Sequence, residues 1–487
     1  MVSSLSSPAP VPADPSVEQL LAAIAERDEA LALRDSVIEA LLVRVEAVES
    51  RLGQNSRNSS RPPSSDGYGK ASSPSRAEQK AAGRRPGKQP GDQGRHLAQV
   101  PDPDEVVAHV PSACRGCGAP LAAAEDAGWV PRQVFDLPPA RLRVTEHRLT
   151  RRVCRCGTVT TAPAPAGVVA PTQYGDRVKA LALYLMVAQH VPVGRTATLL
   201  REVFGASVSQ GFLAGLLASA AGQAEPFLDQ VRRMLVAAPV AHFDETGVRV
   251  GGRLRWLHSA SDHELTLLGV HPRRGNEGID AVGVLPDFTG VAVHDGHLPY
   301  RQYDAIHALC NAHHLRELTA VTERDPTQRW AADLAVLLQE TNVHAYLARA
   351  AGRSSLTDQQ LGWLRDRYDQ LIVQARSANP RPPLTGLRGA PRLGVTGSLV
   401  RRLDERRDEV LRFATDLKVP FTNNQAERDL RMAKLQMKIS GCWRTDAGAA
   451  NFTALRSYIS TLRKHGHNAL TGLTQLINGN PWLPAAT

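Results

Sequence analysis

The chain is 487 residues long, room for several domains with separate cores, and carries a formal net charge of +10. It has no apolar run near the ~18 residues a membrane helix needs, and MVSSLSSPAPVPADP lacks the charged lead and apolar centre of a secretion signal. Six cysteines, four of them in two tight pairs, suit metal binding in a reducing compartment. Neither a membrane-spanning helix nor a disulfide framework is therefore expected.

Residues 1–16 are expected to be disordered. Val17, Ile24, Leu31, Ile38, Val45 and Leu52 then recur every seven residues, with Leu20, Leu41 and Val48 between them and Arg27 and Arg34 as polar exceptions. This pattern predicts a coiled coil over 17–53 and self-association through it; an amphipathic helix packing on its own domain is the alternative. Residues 54–104 form a basic linker rich in Ser, Pro and Gly. From Arg51 to Val100 ten Lys/Arg face three Asp/Glu. Such a stretch buries too little apolar area to order itself and is drawn to phosphate backbones.

Cys114-x2-Cys117 is followed, 36 residues later, by Cys154-x-Cys156. Paired knuckles of this kind place four thiolates around a structural Zn²⁺ with no open position. Buried free cysteines are the alternative. The strand-like alternation of QVFDLPPARLRVTEHRLTRRV between the pairs suits a zinc-ribbon-like module over 105–170, made basic by Arg141, Arg143, His147, Arg148, Arg151 and Arg152.

Over 171–237 the segments ALALYLMVAQHV, GRTATLLREVFG and SQGFLAGLLASAAGQ read as three helices broken at Pro192 and Gly205. GASVS sits where a helix-turn-helix would turn, with Ser209 capping the next helix. A plain helical bundle fits equally well, because the third helix carries no basic residue to read a groove. From Pro239 to Glu317 the pattern runs strand, strand, strand, helix, strand, helix, as in a ribonuclease-H-like α/β core whose first part spans 238–322. Gly251-Gly252 supplies a two-residue hairpin turn. The following 323–418 are helical and broken by ANPRPPLTGLRG, and read as an all-helical insertion. Residues 419–487 return to the core.

Three acids stand out against that layout: Asp244 in PVAHFDETGVRV, Asp295 in GVAVHDGHLPY and Glu427 in FTNNQAERDLRMAKLQMKIS. The first two lie in or just past β-branched runs, and the third opens a cation-rich helix that Asn423 and Asn424 introduce. Two strand carboxylates facing one helix carboxylate can hold a pair of Mg²⁺ (or Mn²⁺) ions, roughly 3.5–4 Å apart, for phosphodiester chemistry. Glu245 and Asp304 compete. Glu245 is expected on the opposite face from Asp244, and Asp304 in a helical run after Pro299. Arg431, Lys434 and Lys438 share the helix face of Glu427 and suit phosphate contacts; a solvated helix pairing Glu427 with Arg431 is the alternative. Trp443 and Arg444 could stack on an unpaired base and touch a phosphate, with core packing equally open for Trp443. Cys310 and His313, with His307 and His314 nearby, offer either a further metal site or helix packing.

The chain resembles the transposases of the insertion-sequence family sixty-six, a branch of the acidic-triad transposases, over nearly its whole length. The resemblance lies in GQNSRNSSRPPSSDG and GRRPGKQPGDQG, the two cysteine pairs, HFDETGVRVGGRLRWLHSASD, HPRRGNEGIDAVGVLPDFTGVAVHDGHLPYRQYDAIHALCNAHHLREL, NNQAERDLRMAKLQMKISGCWRT and LRSYISTLRKHGHNALTGL. It implies a leucine-zipper-like start, a zinc-binding module, and a ribonuclease-H-like core carrying Asp244, Asp295 and Glu427. A helical insertion and a Cys-x2-His element matching Cys310 and His313 complete the implied layout. The implied activity is binding of the element's terminal repeats and Mg²⁺-dependent cleavage there, followed by attack of the freed 3′-hydroxyl on target DNA. It further implies double-stranded DNA as partner, small accessory proteins from the same element, no membrane, and a place in the bacterial cytoplasm at the nucleoid. Two rivals remain: a zinc-dependent DNA-binding regulator without catalysis, and a ribonuclease-H-like nuclease that does not join strands.

Overall fold

The structure is a computed structural model that describes residues 97–380 and 395–485. The heptad segment over 17–53 and the linker through residue 96 lie outside the described residues. Two units divide the chain, one ending at Ala140 and one beginning at Arg141.

The first unit, over its described residues 97–140, is held by turns and side chains. The Cys114 N–H donates to Ala119 O and the Gly118 N–H to Cys114 O, both at 2.9 Å, which closes a knuckle that Gly118 completes at φ 73°. The Gln133 amide accepts from Val100 N–H at 2.8 Å and donates to Val100 O at 2.7 Å, so one side chain substitutes for a strand partner.

The second unit opens with a hairpin of β1 (Arg151–Val153) and β2 (Val159–Thr161), whose turn carries Cys154 and Cys156 and closes with Gly157 at φ 84°. Four helices follow: α1 (Asp176–Leu183), extended by a π turn over Tyr184–Ala188, α2 (Val193–Phe204), α3 (Gln210–Gln223) and α4 (Glu225–Val236). Gly205 ends α2 at φ 70°, and the Ser209 hydroxyl accepts from Phe212 N–H at 3.0 Å to cap α3. With no charged residue and with Leu213, Leu216, Ala220 and Ala221 buried, α3 belongs to the core.

The central sheet has five strands in the order β5-β4-β3-β6-β7: β3 (Val240–Val250), β4 (Arg253–Ser261), β5 (Thr266–His271), β6 (Val291–His294) and β7 (Ile306–Leu309). The first three form an antiparallel meander, turned at Gly251 and Gly252 with φ of 55° and 78°, while β6 and β7 run parallel to β3. Helix α5 (Asn276–Val282) joins β5 to β6. The sequence pattern assigned no strand to DAIHALC; its apolar run is too short to distinguish from a helix start. Asp304 consequently lies exposed in the loop before β7 rather than in a helix.

Helices α6 (Asn311–Arg324), α7 (Arg329–Ala350), α8 (Asp358–Ala378), α9 (Val395–Glu405) and α10 (Arg407–Thr415) follow. They enclose a second apolar cluster that includes Trp330, Leu334, Tyr368, Leu371, Leu403 and Leu411. The chain then returns as α11 (Asn424–Ser440), α12 (Asp446–Lys464) and α13 (Ala469–Ile477). The return matters for packing: α12 covers the edge strand β5 and answers its outward amides. Thr461 Oγ1 accepts from Thr266 N–H at 3.1 Å and Ser457 Oγ from Leu268 N–H at 2.9 Å. No described helix is long and apolar enough to cross a membrane.

Candidate active site

Register brings the first two acids together. The parallel ladder between β3 and β6 ends at His242↔Val293. Two residues further along each strand come Asp244 and Asp295, in the row where the pairing would continue. Neighbouring strands run roughly 4.8 Å apart, so the two carboxylates belong side by side just past the end of the parallel pairing. Glu427 arrives from the first turn of α11, a position the positive end of the helix dipole favours for an anion.

The electrostatics record this approach. Asp244 is pushed up to about 7, first by burial and then by the charges of Glu245, Asp295 and Glu427; its own bond from Glu245 N–H to Oδ1, at 2.8 Å, pulls the other way. Crowded carboxylates hold their charge at a cost unless a cation neutralises it. Asp295 Oδ1 accepts from His297 N–H at 2.9 Å, across a turn in which Gly296 sits at φ 91°. Glu427 is 35% exposed and leans towards Arg316, whose Nη2 is 3.7 Å from its Oε1. Among the described residues no three His, Cys, Asp or Glu converge closely enough to form a finished ligand set. The donors nevertheless fit a hard divalent cation, being carboxylate oxygens whose mutual repulsion such a cation relieves.

Glu245 is committed elsewhere. Its buried carboxylate accepts from Arg274 at 2.9 Å and from the Tyr300 hydroxyl at 2.5 Å, with His297 Nε2 3.8 Å away. Burial and this neighbour together push the Tyr300 hydroxyl far up, so it stays a donor. Arg274 also lies over the Trp256 ring at 4.9 Å. Arg274, His297, Tyr300 and Arg316 escaped the sequence reading, since nothing in HPRRGN, HDGHLPY or HHLREL marks which acid each would meet.

Cys310 precedes α6 and is buried, its thiol pushed up by burial, with Sγ accepting from Asn423 N–H at 3.1 Å. Burial comes first in lowering His313, and the charges of Glu427 and Asp295 reach it; its Nδ1 is buried without a partner among the described residues. The pair thus borders the acid cluster. Arg431, Lys434 and Lys438 are exposed along α11, and none forms an ion pair among the described residues. The Glu427–Arg431 pair of the alternative reading is not formed, and Glu427 faces Arg316 instead. Arg444 is exposed. Trp443 is buried against Phe452, ring centroids 5.2 Å apart, and its strand-like bridge to Val250 fixes it there, so packing is the role its position supports.

The zinc-knuckle cysteines are described within their own units. Backbone N–H groups of Cys117 and Gly116 hold the Cys114 thiol below the usual range. The Thr158 hydroxyl, 3.2 Å from the Cys156 sulfur, leads in lowering that thiol to about 7. Both turns therefore favour thiolate, the form that ligates zinc.

No curated protein matches the chain. A family model described as a zinc-finger binding domain of transposase IS66 matches residues 111–157, and a family of unknown function (DUF6444) matches residues 13–98. The model of the Transposase IS66 family matches residues 171–451, more than half of the chain and all of the region that carries Asp244, Asp295 and Glu427. On that match the chain, with a zinc-finger domain ahead of a mixed α/β core, belongs to the IS66 transposase family.

Proposed function

We propose that this transposase binds the terminal repeats of its own insertion sequence, cleaves DNA at the element ends and joins the freed 3′-hydroxyl to target DNA. The observation that carries the reading is the register that sets Asp244, within β3, beside Asp295, just past β6, with the charges of Asp295 and of Glu427 at the start of α11 adding to the rise of Asp244. Asp244, Asp295 and Glu427 would hold Mg²⁺ or Mn²⁺. The bound cations supply an activated hydroxyl on one side of the phosphate and charge stabilisation of the leaving oxygen on the other. Three antiparallel strands followed by two parallel ones support a ribonuclease-H-like core with the acids at its open edge.

The chain's own residues then divide the work. Arg431, Lys434 and Lys438 hold DNA phosphates beside Glu427, with Arg444 beyond the end of α11. Cys114, Cys117, Cys154 and Cys156 hold a structural zinc that orders the basic segment for end recognition. Residues 17–53 bring copies of the chain together, and accessory proteins of the element assist. Residues 171–237 act as a helical support for the core, which the burial of α3 favours over groove reading by that helix.

The test is Mg²⁺-dependent cleavage and joining of a labelled element-end duplex by wild type, Asp244→Asn, Asp295→Asn and Glu427→Gln, with DNA binding followed in parallel. Joining lost in all three variants while binding persists is expected. Joining by Asp244→Asn at the wild-type rate would sink the assignment, and nicking without joined product would make the chain a nuclease.

A further inference from the structure

Where the parallel strands part, a different group must hold them at the right distance, because the β3–β6 ladder stops at His242↔Val293 and the β6–β7 ladder at His294↔Leu309. Asn423 and Cys310, each 1% exposed, occupy that gap. Asn423 Nδ2 donates to Phe243 O at 2.7 Å, and His242 Nδ1 donates to Asn423 Oδ1 at 2.8 Å, which grips the two residues before Asp244. The Asn423 N–H donates to Cys310 Sγ at 3.1 Å, and the Cys310 N–H donates to His294 O, the residue before Asp295, at 2.9 Å. Asn423 O in turn accepts from Glu427 N–H at 3.4 Å. One buried asparagine therefore touches the neighbour of the first acid and the amide of the third, and it meets the thiol of Cys310, whose backbone N–H holds the neighbour of the second.

We propose that Asn423 and Cys310 are positioning residues that together set the separation of Asp244, Asp295 and Glu427, with the Cys310 sulfur acting as a hydrogen-bond acceptor rather than a metal ligand. The proposal rests on the reading of those three acids as the cation-holding group. Its logic is geometric. Asn offers a donor and an acceptor on one short side chain, so only Asn bonds Phe243 O and His242 at once from this backbone position. Sulfur spans a longer donor–acceptor distance than oxygen, and Ser at 310 keeps an acceptor that Ala removes. Fixing the backbone immediately before each acid confines the carboxylates without touching them, as outer partners of metal ligands do elsewhere.

The experiment uses the full chain and three variants, Asn423→Ala, Cys310→Ala and Cys310→Ser. Mn²⁺ affinity is read by electron paramagnetic resonance without DNA, strand joining on the element-end duplex, and thermal unfolding in EDTA. Asn423→Ala and Cys310→Ala should weaken Mn²⁺ binding by about tenfold or more and reduce joining in parallel, at temperatures where both remain folded. Cys310→Ser should recover most of both. If Asn423→Ala does not fold, the two Cys310 variants decide the matter. Wild-type Mn²⁺ affinity in a folded Cys310→Ala chain overturns the proposal and leaves the acid assignment standing. Failure of Cys310→Ser to recover anything, with its fold intact, overturns the acceptor role. A folded wild type that neither binds Mn²⁺ nor joins DNA overturns the acid assignment, and this proposal with it.

Discussion

Two influences push Asp244 the same way: β3 carries it into the interior, and three other carboxylates press on it. Its folded-state value of about 7 stands well above the ~3.9 of a free aspartate, so between those limits the folded chain binds a proton the unfolded chain has released. The sign follows. This residue's contribution to stability is complete below about pH 4 and is lost as pH rises to about 7. Asp244→Asn, neutral throughout, should gain melting temperature over wild type progressively from about pH 4 to about pH 7 in EDTA. Two curves that run parallel across that range would mean that the fold does not hold Asp244 above its free value. The exposed lysines of α11 answer to a different probe, because phosphate contacts release counterions. Lys434→Ala and Lys438→Ala should each flatten the slope of log K against log salt by about 0.9 if each holds one phosphate. An unchanged slope would return the α11 cations to solvent.

At the scale of elements, the edge strand β5 is protected by a helix that comes about 190 residues later in the chain, the interval that separates Leu268 from Ser457. Ser457→Ala leaves the Leu268 N–H buried and unpaired, a loss of about 1–3 kcal/mol, and hydrogen exchange at Leu268 should accelerate accordingly. Exchange at wild-type rate would mean β5 needs no cover. No sequence pattern announces such a contact, and the same limit explains which parts of the molecule were legible beforehand. Gly251-Gly252, the Ser209 cap and the position of Asp295 just past β6 depend on local chemistry, and each stands where the sequence puts it. The strand at Ile306–Leu309 was not legible, because four apolar residues carry no period. Partnerships fared worst. Asn423 reads in the sequence as introducing a helix, though it also bonds β3 and Cys310, and nothing beside Glu427 in the sequence points to Arg316 of α6. Long-range polar contacts have no signature in a single sequence.

For the whole molecule, the distribution of apolar burial predicts how its parts come undone. Among the described residues no hydrophobic side chain before Ala180 is buried, and Trp129, Val134 and Val144 are 86%, 91% and 89% exposed. A segment of that length without a core cannot offset its own ordering entropy, so residues 97–170 need a staple. The four cysteines supply one if they share a zinc ion, whose binding free energy then becomes folding free energy. The regions after Tyr174 instead rest on three apolar clusters, two around the sheet and one among α6 to α10, and none includes a residue of the earlier segment. Zinc chelation should therefore erase hydrogen-exchange protection over 97–170 and abolish binding specific to element ends, while the melting transition of the core stays where it was. The reciprocal variant is Leu334→Ala, which opens the fully buried second cluster at a cost of about 2–5 kcal/mol; it should lower the core transition and leave zinc stoichiometry untouched. A core that melts earlier after chelation would show that the metal holds more than its own module, and end recognition that survives chelation would move the reader of the terminal repeats elsewhere in the chain.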